Sequence, residues 1–171
     1  MIYLVPYEDS FKTATMRRLS EFFSYHQSLF SPGQSNDHNS NSSDKEIILT
    51  LDEWQVPPNA LYVIMNTDIS VGFIRINLRS PNVAWIEDIF IDAIYRGLGY
   101  ASSAIKSAES IIMKNPDYTA VCMDVSPRNY SALCLYHKLG YKDLSLITIR
   151  KEFGNSKRDI PIQLFDLDYH I

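Results

Sequence analysis

The chain has 171 residues, a length that fits one domain better than two, so we predict a single domain over residues 1–171. Hydrophobic residues make up 46% and charged residues 21% of the sequence, which is typical of a globular protein and argues against a disordered or collagen-like chain. The formal net charge of -4 argues against a nucleic-acid partner, because nucleic-acid binders are usually basic.

Targeting and metal-binding patterns are missing from the sequence. It contains no run of about 18 apolar residues, and its first residues lack the order of a signal peptide, so we expect a cytoplasmic protein with no membrane partner. Two cysteines, Cys122 and Cys134, predict reduced, buried thiols and no disulfide framework. The histidines form no zinc-type pair, so we predict no metal site. They are His26, His38, His137 and His170.

The first third of the chain predicts one strand and two helices. Residues 1–6 predict a short strand, and apolar residues at helical spacing predict a helix over 10–28. Residues 31–44 have no large apolar side chain and are rich in Ser, Asn and Asp, so we expect a mobile loop there. A second helix over 45–54 is predicted to end before the prolines at 57 and 58.

The middle of the chain predicts an antiparallel meander of three strands over residues 60–66, 70–79 and 83–91. Apolar spacing then changes to the helical period over 101–112, and another apolar run predicts a strand at 118–125. If the strands at each end of this helix are parallel neighbours, the connection between them is a right-handed crossover. We expect a ligand in the loop that opens the helix.

The last part of the chain predicts a helix closed by Gly140 and two strands, over 144–153 and 160–169. Residues 154–157, Gly-Asn-Ser-Lys, predict the turn of a hairpin between these strands. The complete order of seven strands and four helices predicts a mixed α/β layer fold.

The loop at 96–102 reads Arg-Gly-Leu-Gly-Tyr-Ala-Ser and lies between a predicted strand and a predicted helix. Glycines allow backbone N–H groups to point outward, and a helix N-terminus adds positive potential, so the segment suits a pyrophosphate. A Walker loop would need Gly-Lys-Ser/Thr, and the dinucleotide fingerprint would need glycine where Ser102 stands. The structural alternative is a plain glycine turn beside an arginine.

Three segments in the right order resemble the GNAT superfamily of acyl-CoA-dependent N-acetyltransferases. Residues 86–91 (IEDIFI) resemble its fourth strand, 96–102 resemble its R/Q-x-x-G-x-G/A loop, and 129–141 resemble its N-x-x-A-x-x-L-Y-x-x-x-G-F/Y segment. The motifs cover 83–141, and the order of elements extends the similarity over nearly the whole chain. The run Ile-Glu-Asp is nearest to the polyamine and streptothricin-type members.

The resemblance implies a GNAT-like fold with a mostly antiparallel central sheet of about seven strands and helices on both faces. Its parallel fourth and fifth strands would splay apart to admit acetyl-CoA, the acyl donor. The fourth strand would bind pantetheine through its backbone, the loop would bind pyrophosphate through backbone N–H groups and the Ser102 hydroxyl, and Asn129 would contact pantetheine. Tyr100 departs from the smaller aliphatic residue of many members, and its ring lies either along the coenzyme or over the helix. The implied coenzyme residues are Ile89, Phe90, Ile91, Arg96, Gly97, Leu98, Gly99, Tyr100, Ala101, Ser102 and Asn129.

Two residues match catalytic positions of the family. Glu87 would deprotonate the acceptor amine, directly or through water; the alternative is a strand residue that faces solvent. Tyr136 would protonate the leaving thiolate, because a phenol with a pKa near 10 still holds its proton at neutral pH; the alternative is a core aromatic residue. Asp88 should point to the opposite face from Glu87 by the period of two in a strand. No histidine is spaced to activate Cys134, which argues against an acyl-cysteine route.

The acceptor is the least determined part of the prediction. We expect the primary amine of a small cationic molecule, with a protein N-terminus or lysine as the enzymatic alternative. A non-catalytic acyl-CoA-binding module and a purely structural domain remain alternatives of other classes. A homodimer is compatible with the sequence but is not indicated by it. The acids and aromatic residues available for a cationic acceptor are Glu53, Asp88, Asp166, Asp168, Trp54, Trp85, Tyr25 and Tyr62.

Overall fold

The computed structural model describes residues 1–30, 43–151, 153, 158 and 160–171. The described residues form two compact units. The first comprises those of Met1–Ser28 and Ser35–Asp124, and the second is built mainly from those of Val125–Ile171. Most of the predicted loop at 31–44 lies outside the described residues, and the expectation of one domain over the whole chain stays a prediction.

A five-stranded sheet forms the centre of the first unit. Its strand order follows the chain, and all neighbours are antiparallel except the last pair, which is parallel. The strands are β1 (Ile2–Pro6), β2 (Asn59–Asn66), β3 (Ile69–Asn77), β4 (Val83–Ile91) and β5 (Ala120–Cys122). The helices are α1 (Lys12–Phe30), α2 (Asp44–Trp54) and α3 (Tyr100–Ile112), with short 3-10 turns at Asp9–Phe11 and Ala93–Tyr95.

The helices cover both faces of this sheet, as predicted. Leu61 of β2 belongs to a buried cluster that includes Leu19 of α1 and Leu51 of α2. The neighbouring β2 residue Tyr62 instead lines a cavity of about 130 Å³ together with Ile112 of α3. Because successive strand residues point to opposite faces, α1 and α2 lie on one face and α3 lies on the other.

Local signals explain where the second helix begins. Ser43 is its N-cap: the Ser43 hydroxyl accepts a hydrogen bond from the Glu46 N–H, and the Glu46 carboxylate accepts one from the Ser43 N–H. This capping box satisfies amides that the helix cannot pair internally. The predicted loop therefore extended two residues too far, since Ser43 and Asp44 already belong to the helix start.

A bulge interrupts the ladder between β3 and β4. Arg75 pairs with Asp88, but the next β3 residue, Ile76, pairs with Ile86. Glu87 is therefore an extra residue on β4 with no partner of its own on β3. The bulge shifts every β4 side chain after it by one position relative to an unbroken strand.

The second unit contains α4 (Tyr130–Leu139) and a separate two-stranded sheet of β6 (Pro161–Leu164) and β7 (Leu167–His170). Gly140 ends α4 with a left-handed φ of 104°, as predicted. The predicted hairpin over 144–169 is wrong, because described residues 144–151 form no strand and the hairpin turns at Phe165 and Asp166. The predicted turn at 154–157 lies outside the described residues. The described residues form seven strands in two sheets of five and two, so the central sheet has five strands and not the predicted seven or so.

Candidate functional site

One edge of β4 is open over its second half. The parallel ladder joins Val83 to Ala120 and ends where Trp85 meets Cys122. β4 continues to Ile91, and among the described residues only β3 pairs with this part. The strands β4 and β5 therefore separate after Trp85, as the sequence resemblance implied.

The backbone of β4 presents alternate residues to this open edge. The Asp92 N–H donates to the Val71 oxygen over 2.9 Å, so the residue two positions earlier, Phe90, also directs its backbone groups toward β3. Ile89 and Ile91 direct theirs toward the open edge, and the Ile91 oxygen there accepts a 2.9 Å hydrogen bond from Arg96 Nε.

Phe90 is therefore a correction to the predicted coenzyme set. Its backbone faces β3, and its side chain is 5% exposed within the cluster under α1 and α2, stacked on Phe73 with ring centroids 5.9 Å apart. The Phe90 carbonyl oxygen lies so close to Gly72 that any Cβ at that position would collide with it. Glycine at 72 thus permits the close approach of β3 and β4 beside the open edge.

The loop at 96–102 has the geometry of an anion cradle from Gly97 onward. Gly97 and Gly99 adopt left-handed φ values of 76° and 78°, and open space lies where a side chain would project. The first hydrogen bond within α3 runs from the Ser103 N–H to the Gly99 oxygen. The N–H groups of the helical residues before Ser103 are therefore not paired within the helix. The Arg96 N–H, in contrast, already donates to the Ala93 oxygen. The outward amides of this loop therefore begin after Arg96.

The side chains of Arg96 and Tyr100 turn back onto the protein. The Arg96 guanidinium lies over the rings of Tyr25 and Phe90, at 5.6 and 5.2 Å from their centroids. The Tyr100 ring stacks on Tyr95, and its hydroxyl accepts a 3.0 Å hydrogen bond from Asn66 Nδ2. Of the two placements that the sequence allowed for Tyr100, these contacts favour packing over the helix start.

A buried ion pair fixes the end of β4 where the loop begins. Asp92 accepts hydrogen bonds from Arg18 Nε at 2.8 Å and Arg18 Nη2 at 2.9 Å, and Arg18 is 2% exposed. The Arg18 Nη2 also donates to the Ser70 oxygen over 2.6 Å. This fork ties α1 to both β3 and the turn before the loop. The sequence reasoning missed this pair, although a charged residue at the end of an apolar strand was a usable signal.

The bulge places Glu87 and Asp88 on the same face of the sheet. Asn77 and Arg75 lie two residues apart on β3, and their partners are Trp85 and Asp88, so all four share one face. Glu87 joins them, because its carboxylate pairs with Arg79, whose guanidinium lies over Trp85. The expectation that Glu87 and Asp88 point to opposite faces is therefore wrong.

Asp88 is held by Arg75. Arg75 Nε donates to Asp88 Oδ2 over 2.6 Å, and the Arg75 guanidinium also lies over the Trp54 ring at 4.5 Å. Burial raises the pKa of the Asp88 carboxyl, and the charge of Arg75 opposes that rise. Partial burial lowers the pKa of the His26 imidazole although much of that side chain faces solvent, and the charge of Asp88 opposes this shift.

Glu87 is held more loosely. Its Oε1 lies 3.1 Å from Arg79 Nη1, but among the described residues that buried oxygen has no aligned hydrogen-bond donor. The Glu87 side chain is 16% exposed and that of Arg79 is 52% exposed. The carboxylate thus lies just below the surface, next to a guanidinium that is half exposed.

The second unit carries the predicted pantetheine contact, Asn129, and the predicted general acid, Tyr136. Asn129 is the N-cap of α4, and its Oδ1 accepts a 3.3 Å hydrogen bond from the Ala132 N–H. Tyr136 lies on α4, half-buried, with its ring 6.2 Å from that of Tyr141. Cys122 and Cys134 are free thiols, but both are partly exposed and not buried as predicted.

Acetyl-CoA fits the residues of the first unit. Ile89 and Ile91 offer outward backbone groups for an extended amide chain, and the amides after Gly97 suit a pyrophosphate. When bound, it supplies an activated acetyl thioester. Among the described residues, no group of three His, Cys, Asp or Glu side chains could hold a metal ion. No helix in the described ranges has the length and apolar character needed to cross a membrane.

Comparisons with known proteins support this assignment. A model of the GNAT acetyltransferase family matches residues 17–141. The Bacillus subtilis protein YycN, a proposed acetyltransferase, has a similar structure: TM-score 0.68, 19% identity, 90% of this chain and 100% of that chain covered. No curated protein sequence matches significantly.

Two further solved structures are similar. A Trypanosoma brucei acetyltransferase has a TM-score of 0.61 and 19% identity, with 89% of this chain and all of that chain covered. The aminoglycoside N-acetyltransferase AAC(6')-Iy, solved with a bisubstrate analogue of coenzyme A, has a TM-score of 0.59 and 18% identity over 89% of this chain and 99% of its own. At these identities the likeness shows the fold. Because the family model spans most of the sequence, the chain belongs to the GNAT family of acetyltransferases, enzymes that use acetyl-CoA as the acetyl donor.

Proposed function

We propose that the enzyme transfers the acetyl group to the primary amine of a small cationic acceptor by direct attack. The amine nitrogen bonds to the acetyl carbon, the carbon–sulfur bond breaks, and coenzyme A leaves as the thiol. The observation that carries the proposal is a carboxylate, Glu87, on the bulge of β4 beside the open edge. A direct attack needs no acyl-enzyme, so neither Cys122 nor Cys134 takes part.

The reaction requires a group that removes a proton from the acceptor ammonium, and Glu87 is proposed for this role. An alkyl ammonium with a pKa near 10.4 loses its proton at pH 7 at a cost of roughly 4.6 kcal/mol, and only the neutral amine attacks a thioester. A carboxylate at this point attracts the ammonium and accepts its proton, directly or through one water. Asp88 is less suited to the task, because Arg75 already binds it tightly.

The acceptor class is supported by Trp85 on the same face. This partly exposed ring has the Arg79 guanidinium over it at 4.9 Å, whereas Trp54 is buried beneath Arg75. Rings that bind guanidinium in this way also suit an alkyl ammonium. An aminoglycoside, the acceptor class in the name of AAC(6')-Iy, is a polycation of this kind. A protein N-terminus or lysine remains the second candidate.

Tyr136 is the proposed general acid, and Asn129 the proposed pantetheine contact, on the strength of the segment at 129–141. A phenol can donate its proton as charge develops on the leaving sulfur. Replacing Tyr136 with Phe keeps the ring and removes only the hydroxyl, so turnover should fall about 10²- to 10⁴-fold while coenzyme affinity is retained. Unchanged turnover would remove Tyr136 from the mechanism.

The test is a panel of acceptors with acetyl-CoA, read by release of coenzyme A thiol. The panel contains diamines, polyamines, aminoglycosides, peptide N-termini and lysine peptides. We expect the highest kcat/KM with a small polycation, and faster reaction with a peptide would favour the second candidate. Thermal melting with acetyl-CoA at 100 times its Kd should show about 2.7 kcal/mol of stabilisation. Stabilisation without thiol release from any acceptor would indicate a binding module.

A further inference from the structure

We propose that Arg79 is a built-in competitor of the acceptor: its guanidinium neutralises Glu87 in the resting enzyme, and the acceptor ammonium takes its place. Arg79 would therefore determine how strongly an acceptor must be charged to bind. This inference rests on the proposed function, because it requires a cationic acceptor that reaches Glu87.

Arg79 occupies the place that the ammonium group of a cationic acceptor would take. It follows β3 in the connection to β4, and its Nη1 lies 3.1 Å from the Glu87 Oε1. Its guanidinium lies 4.9 Å above the Trp85 ring, which is partly exposed. A carboxylate with an aromatic ring beside it is a favourable pair of contacts for an alkyl ammonium. Arg79 already makes both of them.

The contact between Arg79 and Glu87 is incomplete. The Glu87 Oε1 is buried, yet within the described ranges it has no hydrogen-bond donor aligned with it, although the arginine is within ion-pair distance. The planar guanidinium has donors in fixed directions, and here it lies over Trp85. A primary ammonium has three donors on a rotatable end, so it can align one with this oxygen. The acceptor therefore offers Glu87 a better partner than Arg79 does.

Displacement of Arg79 costs little. Its main chain is fixed, because its N–H donates to Asn77 Oδ1 over 3.0 Å, but half of its side chain is exposed. Ion pairs with this exposure contribute little to stability, so the side chain can move into water while the turn stays in place. The Arg75 guanidinium cannot move in this way, because it also donates to Asn59 Oδ1 over 2.9 Å and is 16% exposed.

A guanidinium is also chemically inert in this position. It does not lose its proton at any ordinary pH, so Arg79 can neutralise Glu87 without taking part in proton transfer. A neutral aromatic amine brings no cation to exchange for Arg79 and should gain nothing from its removal. The competition therefore predicts that removal of Arg79 raises the affinity for cationic acceptors and leaves that for neutral amines unchanged.

The experiment compares binding of 1,4-diaminobutane to coenzyme A-loaded wild type and Arg79→Gln by calorimetry. We expect the variant to bind the diamine about two- to fivefold more tightly, since it removes one exposed ion pair. The gain should vanish when Arg79→Gln is added to Glu87→Gln, because the competing pair is then already absent. Lys114→Gln removes an exposed charge elsewhere on the first unit and should leave the affinity unchanged.

The outcomes separate this inference from the proposed function. Unchanged or weaker diamine binding in a folded Arg79→Gln, absence of binding to both proteins, or an equal gain for 4-aminobenzamide would each overturn the role of Arg79. Thiol release by wild type tests the function independently. Tighter binding without thiol release would retain Arg79 as a competitor and reject the acetylation of diamines. Thermal melting confirms that each variant is folded, and Arg79→Ala repeats the measurement if Arg79→Gln is not.

Discussion

The two ends of β4 differ in how many strands pair with them among the described residues. Residues 83–85 pair with β5, and Trp85 pairs with β3 as well. Beyond the bulge, β4 pairs with β3 alone among the described residues, so its other edge is open. The first half joins the sheet to the strand after the crossover helix, and the second half carries both carboxylates and the outward backbone of Ile89 and Ile91. Because β3 follows β4 past the bulge and β5 does not, one strand of nine residues combines a fixed end with the proposed binding edge.

Glu87→Gln should have the largest effect on the open half. Loss of a proton acceptor should lower turnover with a cationic amine about 10²- to 10⁴-fold at neutral pH, with coenzyme affinity preserved. The acid limb of the pH profile should shift toward the pKa of the amine itself, so that high pH partly restores activity. Steady-state kinetics over a pH series measures both effects. If the acid limb does not shift, Glu87 is a surface residue and not the catalytic base.

Asp88→Asn should instead be a stability variant. It leaves the Arg75 guanidinium without its carboxylate in a largely buried place, which should cost roughly 2–4 kcal/mol of the free energy of unfolding. Urea denaturation with an unchanged m-value would measure the loss. The matched control is Glu87→Gln, whose ion pair is half exposed and should contribute less than about 1 kcal/mol. Equal losses for both variants would contradict the division between a structural and a displaceable pair.

Gly99→Val tests the loop that follows the open half. Valine disfavours a φ of 78°, and its side chain would fill the space in front of the outward amides. We expect coenzyme A to bind at least about tenfold more weakly, because the loop can no longer keep its amides in place. Calorimetry measures the affinity, and circular dichroism checks the fold. Leu98→Ala, an exposed neighbour, should change the affinity much less.

The smallest effect concerns pH and His26. Because its pKa is lower in the folded protein than the ordinary 6.5, the unfolded chain takes up the proton first as pH falls. Stability should therefore decrease as pH drops through about 6.5 and below, and His26→Gln should flatten this decrease. Asp88 acts in the opposite sense at lower pH, since its raised pKa favours the folded state as acid is added. Urea midpoints between pH 7.5 and 5.5 would test the slope, and an unchanged slope would contradict it.

Elements whose bounds depend on residues close in the sequence were predictable. The strand at 83–91 has the predicted bounds, and α4 ends at Gly140 as expected. The final hairpin was not predictable in the same way. Residues 144–151 alternate in polarity like a strand, but the structure assigns no strand to them, and a strand pattern does not specify which segment it pairs with. The turn adopted at Phe165 and Asp166 has positive φ values of 52° and 61°, which its sequence does not signal.

The sequence by itself determined the family, and it supplied the proposed coenzyme loop and the proposed base, because these depend on residue type and short spacing. The tertiary structure decided which way the candidate residues face. The bulge at Glu87 placed it beside Asp88, and the partner of Phe90 turned that residue's backbone away from the open edge. Both outcomes follow from strand register, which is set by pairing between residues distant in the chain and is therefore absent from any local pattern.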